Sequence, residues 1–140
     1  MREILFRGKR LEIGDFVEGS LITYPDGDCY IACPSGDPNV LDKFCADPAT
    51  VGQYTGLKDK YNKRIFEHDI LCVEDNVWVV DHWGKKQFIC EIVFKDNDAR
   101  FTGVGKARPR EWLYRWNANS YEVIGNIHDN PKLLEGGADV

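Results

Sequence analysis

The densest run of proton-transfer groups in the chain is Glu67-His68-Asp69, with His82 and His128 standing alone further on. General acid–base chemistry needs two such groups within hydrogen-bond reach of one substrate atom. Three successive residues of a turn project in different directions, so the run reads as a polar turn ahead of a buried strand. An enzyme built from this chain would have to assemble its site from distant residues such as Glu67, Asp69 and His82. No serine elbow precedes a helix, and neither His82 nor His128 has a nucleophile close in sequence. No catalytic residue is assigned, and the chain is not expected to be an enzyme.

Metal and phosphate chemistry are as thinly supported. The five cysteines are Cys29, Cys33, Cys45, Cys72 and Cys90. A structural zinc site draws on two close ligand pairs. If 29–33 is a strand, its two thiols face one side but lie about 13 Å apart along it, too far to share an ion. His68 and Cys72 form the other close couple, with no second couple to complete them. Asp96-Asn97-Asp98 lacks the later ligands of a calcium loop. Thr102-Gly103-Val104-Gly105-Lys106-Ala107 resembles part of a phosphate loop, but the first glycine would fall at Arg100 and the magnesium-binding hydroxyl at Ala107. No metal and no cofactor is expected.

The best candidate surface lies at 100–116. Five cations (Arg100, Lys106, Arg108, Arg110 and Arg115) accompany one anion, Glu111, and Trp112, Tyr114 and Trp116 alternate among them. Aromatic strand residues beside cations hold single-stranded nucleic acid by stacking and phosphate pairing. The same stripe also suits a core or a contact between subunits, where aromatics dominate. Arg108, Arg110, Trp112, Tyr114 and Trp116 are therefore the candidate face, for a protein partner first and nucleic acid second. The net charge of −5 disfavours a generally basic nucleic-acid binder.

The elements that must position these groups are mostly strands. The chain has 140 residues, 43% hydrophobic and 29% charged, which supports a packed core in one domain. That domain spans 1–140 and divides, if at all, into N-terminal strands and a loop over 1–60 and a small barrel over 61–135. Charges break the N-terminal segment at Arg2, Glu3, Arg7, Lys9 and Arg10, so no signal peptide is expected, and no apolar run is long enough for a membrane helix. The odd number of cysteines fits free thiols in the cytoplasm.

Short β-rich runs separated by turn residues predict a mainly β fold, a small barrel or sandwich with short helical turns. Strands are expected at 4–6, ended by Gly8, at 15–24, weakened by Gly14 and Gly19, at 29–33 and at 40–44. Asp47 should cap a helical turn opened by Pro48, and 58–63 reads as a second turn. Strands follow from 64, at 69–74, 77–81, 86–95, 100–103, 111–116 and 121–127. In 86–95 the residues Phe88, Cys90, Ile92 and Phe94 share one face. Asp129-Asn130-Pro131 should introduce a short C-terminal helix at 132–135.

Three segments resemble the YopX family of phage and prophage proteins. They are REILFRGKR (2–10) leading to GDFVEGSLI (14–22), the longer VGQYTGLKDKYNKRIFEHDI (51–70), and YEVIGNIHDNPKLLE (121–135). The middle segment is the most specific. The family usually places a glycine in the turn after the Lys-Asp-Lys run, where this chain has Tyr61-Asn62, and another before Asp69, where it has His68. Asparagine still admits positive φ. The resemblance implies a β-rich fold and homo-oligomers acting in a bacterial host, and it carries no activity. Read from its residues, the middle segment is a folding corner. Gly52 and Gly56 would bend the chain around Tyr54, Thr55 and Asp59 would bond turn backbone, and Ile65, Phe66 and Ile70 would anchor the next strand.

Overall fold

The computed structural model describes residues 3–105 and 120–135, with the backbone alone at 75, 77 and 79. The chain forms two compact units, Met1–Gly56 and Leu57–Val140. Among the described residues the fold is mainly β, with two antiparallel sheets, the 3-10 turn Pro48–Thr50 and a short C-terminal helix. Neither sheet closes into a barrel among the described residues.

The first unit is an antiparallel meander. β1 (Phe6–Lys9), β2 (Phe16–Thr23), β3 (Cys29–Pro34) and β4 (Leu41–Ala46) pair in succession, and β5 (Gly52–Lys58) adds to the other side of β1. The Tyr24–Asp28 turn forms as its Pro-Asp-Gly sequence predicts: the Gly27 N–H donates to the Tyr24 carbonyl at 3.0 Å, and Asp26 Oδ1 accepts from the Asp28 N–H at 2.9 Å. Asp47 caps the 3-10 turn Pro48–Thr50, accepting the Ala49 N–H at 3.1 Å. The end of β4 then returns to the end of β1: the Leu11 N–H donates to the Cys45 carbonyl and the Asp47 N–H to the Lys9 carbonyl. That return curls the meander around Ile31 and Ala46, which are almost wholly buried.

Two glycines play the opposite part to the one their type suggests. Gly8 does not end β1 but lies inside it, where an added Cβ would stand 3.0 Å from Ala46 Cβ. At Gly19, inside β2, a Cβ would fall 2.2 Å from the Ala32 carbonyl oxygen. Both mark close backbone approach, the other reason for a glycine in a strand. The bend expected around Tyr54 is likewise a strand, β5, paired through Phe6 with Gln53. Tertiary pairing with β1 supplies the ladder bonds that two glycines and a threonine do not advertise locally.

The second unit holds the longest strands among the described residues. β6 (Arg64–Phe66) hydrogen-bonds to β5, whose last two residues open this unit, across a turn at 59–63 that replaces the expected helical turn. β7 (Asp69–Val79), β8 (His82–Lys95), β9 (Arg100–Val104) and β10 (Tyr121–Asn126) form a sheet in the order β10-β7-β8-β9. The two strands expected at 69–74 and 77–81 are one, because Asp75 and Asn76 pair in register with Lys86 and Lys85 and carry the ladder through. Its turn comes at Val80-Asp81, with Val80 at φ +55°.

Ile65, Leu71, Val73, Phe88, Cys90, Ile92 and Tyr121 make the core, with Phe101 and Val123 packed against it. The alternation of 88, 90 and 92 is thus a buried face. Phe94 leaves it and meets Phe101 edge-on at 5.1 Å. A register shift between Val123 and Gly125 interrupts the alternation of β10. The chain then turns through Asn126, whose Oδ1 accepts the N–H groups of His128 and Asp129, into α1 (Lys132–Glu135). No helix among the described residues is long and apolar enough to cross a membrane.

Candidate functional site

The corner at 59–69 is built to satisfy backbone. Asp59 is almost wholly buried. Its Oδ1 accepts the N–H groups of Tyr61 and Lys63, both at 2.9 Å, and its Oδ2 accepts that of Val123 at 3.0 Å. The Lys60 N–H donates to the Tyr121 carbonyl at 3.0 Å. One carboxylate therefore closes the turn and fastens it to β10, 64 residues away in sequence. Backbone N–H donors to a carboxylate are among the stronger hydrogen bonds of a protein, and here all are spent on holding chain to chain. Asn62 sits at φ +66°, as the glycine usual in that turn would.

The run 67–69 divides in the same way. Asp69 is buried, and its Oδ2 accepts the Phe66 N–H at 2.8 Å. His68 adopts φ +74°, the left-handed conformation that a glycine enters without strain. Its backbone spans two strands' ends: its N–H donates to the Ile92 carbonyl at 2.7 Å and its carbonyl accepts the Ile127 N–H at 2.9 Å. Its imidazole lies 3.3 Å from Glu91 Oε2 through Nδ1 and 3.9 Å from Glu67 Oε2 through Nε2, and meets the His128 ring edge-on at 5.4 Å. Beside it, His128 to Leu133 line an open groove of about 600 Å³. Two imidazoles and two carboxylates thus come together, a cluster that sequence spacing does not reveal because Glu91 and His128 arrive from β8 and from the turn after β10.

His82 does not join them. It is exposed, pairs in register with Val79 at the far end of β7 and hydrogen-bonds Asp81 at 2.9 Å. Ten residues of strand separate it from Asp69, roughly 33 Å, so Glu67, Asp69 and His82 do not converge. Among the described residues no three His, Cys, Asp or Glu side chains are placed to hold a metal ion. All five thiols are free. Burial pushes the Cys90 thiol up to about 12 and raises those of Cys33 and Cys72, the direction that suppresses thiolate chemistry. Asp98 pairs with Lys95 at 3.2 Å and Arg100 at 3.1 Å. Thr102 is buried within β9 rather than poised in a phosphate loop. The face Arg108, Arg110, Trp112, Tyr114 and Trp116 lies outside the described residues.

A different aromatic group is on display. Trp78 and Trp83 oppose one another across the β7–β8 ribbon, centroids 5.3 Å apart and nearly perpendicular. They remain 59% and 67% exposed, and Val80 at the turn is 92% exposed. Among the described residues β10 pairs with β7 as far as Val73 and β9 pairs with β8 as far as Glu91. The signal for this tip was present in the sequence: two tryptophans placed evenly about a two-residue turn. From sequence, 77–81 is expected as a strand, and the facing of its tryptophan stays open because it depends on the pairing with β8.

The first unit carries a smaller surface of cations over rings. A groove of about 310 Å³ runs past Arg10, Ile13, Tyr30, Lys43 and Phe44. Lys43 Nζ stands 4.7 Å over Tyr30, and the Arg10 guanidinium 5.0 Å over Phe44 while its Nε and Nη2 donate to the two carboxylate oxygens of Asp15.

Known proteins place this arrangement. The chain is similar over 96% of its length to 99% of protein EF1440 from Enterococcus faecalis, with a TM-score of 0.56 and 24% identity, a likeness of fold alone. No curated relative matches. The family described as YopX protein matches residues 6–135, from β1 through α1, and the chain belongs to the YopX family.

Proposed function

We propose that the protein is a non-catalytic accessory protein of a phage or prophage, acting in the host cytoplasm through protein contacts, including contacts with copies of itself. The observation that carries this reading is the exposed tip of the β7–β8 ribbon, where Trp78, Trp83 and Val80 stand in solvent. Exposed aromatics grouped at the end of an element mark interaction surfaces, and tryptophan is enriched where binding energy concentrates. The buried carboxylates support the same reading, since Asp59 and Asp69 bind backbone N–H groups. The phage setting rests on the family resemblance, and the cytoplasm on the odd number of cysteines.

Light scattering at micromolar concentration tests it. The wild type is expected to run as an oligomer. Trp78→Ser with Trp83→Ser should lower its mass while leaving the melting temperature within a few degrees. A monomeric wild type that also recovers no host protein in pull-downs removes the reading. The alternative, a nucleic-acid regulator using Arg108 to Trp116, predicts a salt-sensitive gel shift abolished by Trp112→Ala.

A further inference from the structure

We propose that the groove of the first unit, between the turn at 11–13 and the end of β4, binds a free α-amino acid with an aromatic side chain, Lys43 holding its carboxylate and Glu12 its ammonium group. The site is built wholly from the first unit and does not depend on self-association.

The walls of the groove are fixed without a ligand. Gly14, at φ +83°, donates its N–H to the Arg10 carbonyl at 2.8 Å, and the Arg10 N–H donates to the Asp15 carbonyl at 2.9 Å. The Arg10 guanidinium closes the neck of this turn on both carboxylate oxygens of Asp15, at 2.7 and 2.6 Å. The Leu11 N–H donates to the Cys45 carbonyl at 3.1 Å and lays the turn against β4. Across from it, the register Tyr30↔Cys45 and Ala32↔Lys43 sets Tyr30, Cys45 and Lys43 on one face of the sheet. The volume of about 310 Å³ lies at the small end of the range for ligand sites, which are mostly apolar with a few polar groups that fix orientation. It suits a single amino acid better than a length of peptide.

The charges decide the class of ligand. Arg10 is spent on Asp15, which leaves one cation and one anion on the walls. Lys43 Nζ lies 4.7 Å over Tyr30, 5.8 Å over Tyr24 and 3.4 Å from the Tyr24 hydroxyl, and among the described residues it meets no carboxylate at ion-pair distance. Glu12 makes neither a hydrogen bond nor an ion pair among the described residues. A simple anion entering the groove meets Glu12, and a simple cation meets Lys43. A zwitterion meets an opposite charge at each end, the complementarity that gives selectivity. The remaining lining is apolar: Ile13, Tyr30, Phe44 and Cys45. Ile13 is 65% exposed, so a ligand's apolar body has surface to cover. Aromatic side chains pack edge-on or offset against rings such as Tyr30 and Phe44.

Titration of the full chain, followed through its backbone amide resonances at about pH 6, where the probes' free amines are ammonium ions, tests the site. The probes are phenylalanine, phenylalanine amide, N-acetylphenylalanine and the doubly blocked N-acetylphenylalanine amide. Phenylalanine should give saturable shifts confined to 10–13, Tyr30 and 43–45. It should bind at least about threefold more tightly than either singly blocked form. Lys43→Met should erase the preference over the amide and keep that over the N-acetyl form. Glu12→Gln should do the reverse. Both side chains are exposed, so neither substitution should move the melting temperature. No saturation by phenylalanine overturns the proposal, as do variants that leave both preferences intact. Equal binding of the doubly blocked form overturns it in favour of a peptide segment, and equal binding of acetate in favour of a plain anion site.

Discussion

The corner at 59–69 and the tip of the β7–β8 ribbon use the same kinds of side chain for contrary ends. At the corner, Asp59 and Asp69 are buried and aimed at backbone N–H groups. At the tip, Glu74, Lys85, Trp78 and Trp83 face solvent. A buried carboxylate is tolerated only where donors surround it, so it becomes a fastening of the fold. An exposed tryptophan buries little within its own chain, so its removal costs little stability. Stability and recognition are thus carried by separate regions. The segment with the most titratable groups is the structural one.

The sharpest way to break that contrast is Asp59→Ala. It orphans the N–H groups of Tyr61, Lys63 and Val123 together, and should destabilise by about 3–5 kcal/mol in urea denaturation. Asp59→Asn keeps one acceptor and should cost less. A loss under about 1 kcal/mol for the alanine variant would mean that the corner is not a fastening.

Cys90 gives the next largest effect, through pH. Below pH 9 its thiol is neutral in both folded and unfolded chains. Between 9 and about 12 only the unfolded chain ionises, because burial holds the folded thiol up to about 12. Stability should therefore fall with rising pH in that window, by roughly 1.4 kcal/mol per pH unit from this group. Cys90→Ala should lose that part of the slope, and an identical slope in the variant would refute the assignment.

His68→Gly should act in the opposite direction. It relieves a left-handed φ of +74° and should gain about 0.5–1 kcal/mol. His68→Ala, which keeps the strain and loses the Glu91 contact, should not. The smallest effect on stability belongs to the tip: Trp78→Ser with Trp83→Ser is expected to stay within about 0.5 kcal/mol of wild type by denaturation. A large loss there would show that the tryptophans are part of the packed fold.

Much of the architecture was legible locally. The Tyr24–Asp28 turn, the Asp47 cap and the buried face of Phe88, Cys90 and Ile92 each follow from residue types within a few positions. β5 was not, because its ladder depends on β1 and its own composition is that of a bend. The joining of 69–79 into one strand was hidden for the same reason: Asp75 and Asn76 read as a break until Lys85 and Lys86 are set beside them.

Sequence by itself determined the class of the fold, the short-range caps and turns, and the acceptor role of Asp59, because these rest on side-chain bonds to backbone nearby and on period-two burial. Only the tertiary structure decided that Asp59 also reaches Val123, that Glu91 and His128 gather around His68, and that Trp78 and Trp83 end up outside. Those outcomes depend on which strands lie side by side and where each ladder stops, and pairing between distant segments leaves no periodic trace in either one alone.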